Sequence, residues 1–321
     1  MKSIGIYFLL LSGLVGNLHA QDCVTLLQAV ENENFTQVEL LLKDVDPNCS
    51  YEGKLQPRTP LGMAAAKGNL KLVKQLVASG AKINYRFKQD ASALMIAAGQ
   101  GNYQIAKYLV DKGAKVDVSI KGDGTPLMLA VKGGNPEIVK LLLQKGANPD
   151  TQVIGDGNAM VLAGAEGSKE ILKLLLQYGA DIDKAVIGDG TALIRASAKG
   201  SLETVKALVH LGANVNKASS RDGNPLIMAA KTGHLEVVRF LVQSGADVDV
   251  HVRGDETPLI RAAWSGHMDV VKYLVSKGAD VNISVRDSYS LNSEKRSALK
   301  MARKGGHDAI AAYLVEKGAT R

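Results

Sequence analysis

The sequence predicts an all-α repeat solenoid, and three observations carry that prediction. A Gly-Ala pair recurs at Gly80, Gly113, Gly146, Gly179, Gly212, Gly245 and Gly278, always 33 residues apart. A residue suited to capping a helix recurs at the same period, at Thr59, Ser92, Thr125, Asn158, Thr191, Asn224 and Thr257. Aromatic residues make up only 4% of the chain, which suits thin, closely packed helices better than one bulky core. A fixed period of this length marks stacked units that cannot bury their apolar faces alone. The 321 residues hold about nine such units, counting degenerate caps.

The N-terminal stretch 1–20 stands apart. Lys2 gives a basic start, Ile4–Val15 is an apolar run, and the small Ala20 precedes the polar Gln21-Asp22. This pattern reads as a cleavable secretory signal. The apolar run is shorter than the ~20 residues a spanning helix needs, and no later segment is a candidate span. The expected domain plan is therefore a signal over 1–20 and one solenoid over 21–321, exported to the periplasm or beyond the cell.

Residues 22–58 read as the N-terminal capping repeat. Leu26, Leu27, Ala29 and Val30 match a first helix, and Phe35, Val38, Leu40, Leu41 and Leu42 a second. The only two cysteines, Cys23 and Cys49, fall here. In an exported chain an even pair reads as a disulfide that would clamp the end of the stack. Two buried thiols are the alternative.

Residues 59–296 hold seven internal repeats, of which Thr257–Asn282 is the clearest. Thr257 caps a helix, and Pro258 takes the first helical position, where a missing N–H costs nothing. Leu259, Ala262 and Ala263 give a short apolar face, and Gly266 breaks the helix. Val270, Val271, Leu274 and Val275 recur at helical spacing before Gly278 ends the second helix. An alanine stands at Ala64, Ala97, Ala130, Ala163, Ala196, Ala229 and Ala262, where a small residue lets first helices approach closely. Alternating segments such as Val116–Lys121 and Val248–Arg253 predict half-buried extended arms. Gly122-Asp123, Gly155-Asp156, Gly188-Asp189 and Gly254-Asp255 would turn them into short β-hairpin fingers. Seven residues are inserted within Ile283–Arg296, and the polar stretch Asp287–Arg296 predicts an exposed loop. Residues 297–321 form the C-terminal capping repeat, with Lys300, Arg303 and Lys304 on its first helix.

With its 33-residue unit opening Thr257-Pro258-Leu259 and closing on Gly-Ala, the chain resembles the ankyrin repeat family over nearly all of its length after residue 20. One departure matters. The family opens T-P-L-H-x-A, but the His column here holds Gly62, Met95, Met128, Val161, Ile194, Ile227, Ile260 and Lys300. Apolar packing is expected to replace the usual imidazole–hydroxyl network. The resemblance implies helix-loop-helix units with hairpin fingers, and partners docked on a concave face of fingers and first helices.

No catalytic constellation stands out: HExxH, GxxxxGK[ST], GxSxG and zinc-spaced cysteine pairs are all missing from the sequence. His234, His267 and His307 each follow a glycine between helices and read as structural loop residues. Arg253-Gly254-Asp255 spells an adhesion tripeptide inside a turn column, where chance is the simpler reading. The expectation is a non-enzyme without cofactor or metal. A net charge of +7 is mild for this length and points to an acidic or mixed protein partner rather than nucleic acid. The chain reads as a monomer.

The candidate partner surface comes from the positions that vary among repeats. On the fingers these include Arg221, His251 and Arg253; on the first helices they include Arg195, Lys231, Arg261 and Trp264. An aromatic among arginines in an exposed groove has the composition of a binding hot spot. The function expected is an interaction scaffold in the cell envelope or secreted space. A regulatory subunit of an envelope peptidase or redox enzyme, and a secreted effector acting on host proteins, remain alternatives.

Overall fold

The computed structural model describes residues 22–51, 59–88, 90–220, 222–252, 256–286 and 295–320. The expected signal over 1–20 and most of the Asp287–Arg296 loop lie outside the described residues. The chain packs as two compact units, Met1–Asn148 and Pro149–Arg321.

The first unit contains α1 (22–31), α2 (Phe35–Leu41), α3 (Pro60–Ala66), α4 (Leu70–Ala78), α5 (Ala93–Gly99), α6 (Tyr103–Asp111), α7 (Pro126–Lys132) and α8 (Pro136–Gln144). The second contains α9 (Ala159–Glu166), α10 (Lys169–Gln177), α11 (Ala192–Lys199), α12 (Leu202–His210), α13 (Pro225–Lys231), α14 (Leu235–Gln243), α15 (Pro258–Ser265), α16 (Met268–Ser276), β1 (Ser284–Val285), β2 (Arg296–Ser297), α17 (Ala298–Lys304) and α18 (Asp308–Glu316). Within each unit, from α3 onward, every first helix packs on the next first helix and on its own second helix.

The helices are short because they are punctuated at both ends. The side-chain oxygens of Thr59, Ser92, Thr125, Asn158, Thr191, Asn224, Thr257 and Ser297 each accept the backbone N–H three residues on, at 2.8–3.3 Å. Each such cap stabilises its helix by ~1 kcal/mol. The donating amide belongs to the column that the resemblance fills with histidine. Its side chains at Met95, Met128, Val161, Ile194, Ile227 and Ile260 are buried, so apolar packing does take the place of an imidazole network. Met128 and Ile194 lie directly under Gly124 and Gly190, which have φ of +81° and +70°. A Cβ there would sit about as close as 3 Å to those side chains, so both backbone conformation and space demand glycine. Asn158 and Asn224 cap as well as threonine does, but their Nδ2 groups find no acceptor among the described residues. A buried donor left unmatched costs stability that the threonine caps avoid.

The alanine column is fully buried from Ala64 through Ala262. It lets first helices approach one another across each repeat boundary within a unit. A second inter-repeat tie was not anticipated from the sequence. Asn48, Asn84, Asp117, Asp150, Asp183, Asn216, Asp249 and Asn282 each accept a backbone N–H from the following repeat, at 2.7–3.1 Å. The asparagines at 48, 84, 216 and 282 also donate Nδ2–H to the carbonyls of Gly80, Gly113, Gly245 and Gly318.

These ties correct the reading of the fingers. Residues 116–117 and 248–249 form turns rather than extended arms, because the Asp117 and Asp249 side chains are bound into the next repeat there. Four hairpins are each reduced to a single antiparallel bridge, Ile120 with Gly124, Val153 with Gly157, Val186 with Gly190 and Ser219 with Gly223, and the expected turn at Gly254-Asp255 lies outside the described residues. The capping repeat also differs from expectation. In α2 only Val38 is buried, and Leu40 is exposed, because among the described residues this helix has a neighbour on one side only. Cys23, buried in α1, is joined to Cys49 in a disulfide with Cα atoms 5.8 Å apart. In a loop-entropy account a bridge of this span stabilises by ~2–4 kcal/mol. At the other end, β1 and β2 pair Ser284 with Ser297 and Val285 with Arg296, forming the stem of the inserted segment.

Burial pushes the Asp249 carboxyl above its ordinary range; the Asp280 amide opposes this, while the Asp280 and Asp247 carboxylates add to the rise. A raised pKa means the ionised form is less favourable in the folded state than in the unfolded one. The penalty is absent below about pH 4, where Asp249 is protonated in both states, and it grows as pH rises through the ordinary carboxylate range. Asp249→Asn keeps the acceptor and adds a donor toward the Gly278 carbonyl, as Asn216 does toward Gly245. Thermal melts at pH 7 should show the variant more stable by ~0.5–1.5 kcal/mol, with the advantage shrinking on acidification through about pH 4. An unchanged or lowered melting temperature at pH 7 would refute this account of the rung.

Candidate interaction surface

Charge is unevenly placed in the second unit. Its first helices, α9, α11, α13, α15 and α17, carry seven lysines and arginines against one acid, Glu166. Its second helices, α10, α12, α14, α16 and α18, carry five against six acids. The second-helix charges sit largely in local pairs such as Lys206–Glu203 and Arg239–Glu236. Among the helices the first set is therefore the basic one, while the fingers beside it carry acids of their own, Asp183, Asp189 and Asp249 among them.

A cavity on the first-helix side lies between α15 and α17. It measures about 280 Å³ and is lined by Glu256, Arg261, Trp264, Arg296, Met301 and Lys304. Glu256 precedes the cap of α15 and its side chain is only 4% exposed. Its Oε1 accepts from Arg296 Nη1 at 2.9 Å. Its Oε2 lies 3.5 Å from Arg261 Nε, long for a hydrogen bond but within ion-pair range. One buried carboxylate thus holds two guanidinium groups side by side. Trp264, one turn beyond Arg261, is 39% exposed. Its backbone carbonyl lies 3.0 Å from His307 Nε2. A carbonyl can only accept, so Nε2 carries the proton and donates. His307 therefore ties the end of α15 to the following repeat. His234 and His267 make the same contact, to the carbonyls of Ala198 and Lys231, each at 3.2 Å. Asn102 does so toward Ala65 in the first unit.

A scan against family models matches the description "Ankyrin repeats (3 copies)" over residues 26–121, 115–186 and 193–285. The chain is an ankyrin repeat protein. Among solved structures, it is similar to the crystal structure of the human ASB11 ankyrin repeat domain, at 25% identity and a TM-score of 0.59. That match covers 70% of this chain and 98% of the other. No curated protein matches the chain. Ankyrin repeats act as protein–protein interaction scaffolds and are typically non-enzymatic. Among the described residues, no helix is long and apolar enough to cross a membrane, and no group of acidic, histidine or cysteine side chains is placed to hold a metal.

The ankyrin repeats distribute the sequence-derived candidates unevenly. Arg261 and Trp264 share the cavity. Arg195 lies on α11, with α13 packed between it and the cavity helix, and its Nη2 is 3.3 Å from Asp189. Lys231 is exposed at the end of α13, and His251 is exposed on its finger. Arg221 and Arg253 lie outside the described residues. Sequence reasoning missed Glu256 and Arg296. A signal for Glu256 was available: it occupies the column that reads Gly124, Gly157, Gly190 and Gly223 in earlier repeats. It also missed Ile154 and Ile187, which are 86% and 89% exposed at two finger tips.

Glu256→Gln would leave Arg261 and Arg296 facing each other without the carboxylate between them. It should lower stability by roughly 1–3 kcal/mol, measured by denaturant unfolding. Full parental stability would show that the carboxylate does not organise the cavity.

Proposed function

We propose that this ankyrin repeat protein is an exported scaffold that binds an acidic partner protein on the first-helix side of its second unit. The observation that carries the reading is the segregation of positive charge onto the first helices, while the second helices are balanced. A basic face steers an acidic partner and sets its register. Arg195, Lys231, Arg261, Trp264 and His251 are the residues assigned to that contact, with Ile154 and Ile187 as exposed apolar additions. A stacked, hydrogen-bonded scaffold loses little freedom on binding, so more of the contact energy appears as affinity.

Export is supported by the signal-like pattern of 1–20 and by the disulfide, which persists in oxidising compartments. If this is right, protein recovered from its host will have lost the leader, by intact mass, and will resist thiol alkylation until reduced. Recovery of full-length chain with free thiols would remove the exported setting.

For the contact face, capture from envelope extract should be compared across three forms of the chain. Arg195→Glu with Lys231→Glu reverses the first-helix side, whereas Lys206→Glu with Lys272→Glu reverses the second-helix side equally. A partner retained by the parent and the second-helix form, but lost from the first-helix form, is the expected result. Loss from the second-helix form alone would place the contact on the opposite side.

A further inference from the structure

We propose that a second cavity, between α14 and α16 on the second-helix side, binds a phosphate monoester group. It is separate from the first-helix contact, so capture of a partner there neither requires nor excludes it.

The cavity measures about 520 Å³, well inside the range of ligand sites. Arg239 enters its lining from α14, Asp269, Lys272 and Tyr273 from α16, and Lys277 from the residue that caps α16. Three cations thus face one carboxylate, although the second helices as a whole are balanced. Glu236 lies outside the lining and approaches Arg239 Nε at 3.4 Å; even with it the cations outnumber the acids. Asp269 turns an oxygen back onto the Val270 amide at 2.9 Å. Among the described residues Lys272 and Lys277 form no ion pair, and they lie over the rings of Tyr313 and Tyr273 at 5.8 Å and 5.7 Å.

Tyr273 is the group that points to a ligand. It is only 7% exposed, and its buried hydroxyl has no hydrogen-bond partner among the described residues. Tyr108 and Tyr313 hold the same place in their helices, but they are half-buried and each lies beneath two lysines at 5.5–5.9 Å. At Tyr273 the preceding repeat supplies an arginine instead, 4.7 Å from the ring centroid. Lysine and arginine only donate hydrogen bonds, so neither can take the phenolic proton. The lining therefore sets four donor groups against a single carboxylate and is short of acceptors. A phosphate monoester brings three acceptor oxygens and about −1.5 to −2 charge at neutral pH. Its tetrahedral oxygens can meet donors arriving from two helices, whereas a planar carboxylate is best matched to one arginine fork. Leu235 leaves an apolar edge for the carbon of the carrier.

The full chain should be titrated by calorimetry with glycerol phosphate, inorganic phosphate and acetate, at constant ionic strength. Saturable binding of both phosphates is expected, with acetate weaker by about tenfold or more. Lys272 and Lys277 are exposed, so Lys272→Gln with Lys277→Gln tests the site without opening the core. That pair should weaken glycerol phosphate by about tenfold or more, while Lys74→Gln with Lys112→Gln, around Tyr108, should stay within about twofold of the parent. Matching thermal melts will show that both forms are folded. Tyr273→Phe should weaken binding by about threefold or more without lowering the melting temperature, because the hydroxyl it removes has no partner in the free protein. Failure of both phosphates to bind, equal affinity for acetate, or undiminished binding in either cavity variant would overturn the proposal. Vesicles of phosphatidylcholine with and without phosphatidic acid separate the two sources of the group. Cosedimentation that needs phosphatidic acid, Lys272 and Lys277 assigns a lipid headgroup, and binding of glycerol phosphate alone assigns a soluble ligand.

Discussion

A two-turn helix of seven or eight residues is not stable by itself, because helix nucleation is costly and so few residues repay it. Every first helix from α3 to α17 is of that length, so each depends on ties to its neighbours. The Asn/Asp rung is the tie that sets register. A side-chain oxygen reaches the amide that follows the next Gly-Ala pair, and this fixes where the next finger turns. The fingers, the caps and the first helices all follow from that position. Asparagine closes the rung in two directions, whereas an ionised aspartate can only accept. The rungs at Asp150, Asp183 and Asp249 therefore carry negative charge at the finger bases of the second unit, beside first helices that are almost wholly basic.

The other end of four first helices, α3, α11, α13 and α15, is held by a different device with the same logic. Late carbonyls of a helix lack intrahelical donors. His234, His267 and His307 supply donors from the following repeat, and Asn102 does the same with an amide. Two chemically different side chains serve one geometric need. With the cap at one end and this donor at the other, the polar groups of the first helix are largely accounted for internally. Its outward side chains are then available for recognition without cost to the helix.

Much of this was legible in the sequence because it is periodic. The caps, the Gly-Ala closures and the alanine column all repeat at 33 residues, and each has a local physical reason visible in the residue itself. The Asn/Asp rung was equally periodic, but its partner is a backbone amide 31 residues away, and a backbone amide leaves no mark in a side-chain pattern. Period-two alternation misled at Val116–Lys121, since half-buried turns can alternate as strands do. The site was legible only in part. Trp264 and Arg261 stood out as departures from their columns. Arg296 did not, because it enters through the inserted segment and is placed by the β1–β2 pairing, outside the repeat register.

The basic side of the second unit has a partial structural explanation, and the remainder is what points to function. Lys199, Lys231, Arg303 and Lys304 occupy the last turns of their helices, where a cation complements the negative end of the helix dipole. That role needs no partner. Arg195 and Arg261 are different, since each stands in the fourth position of its helix, away from the C-terminal end. Other repeats place Met, Leu or Ile there. Each of these arginines is matched by an acid, Asp189 or Glu256, on the segment just before its cap. An apolar residue would serve the fold at either position without requiring a second charge to hold it. Asp189 belongs to the finger column that also holds Asp123, Asp156 and Asp222 in repeats with an apolar residue at this position, so Arg195 uses an acid already present, whereas Glu256 is peculiar to its repeat and gives Arg261 a counter-charge of its own.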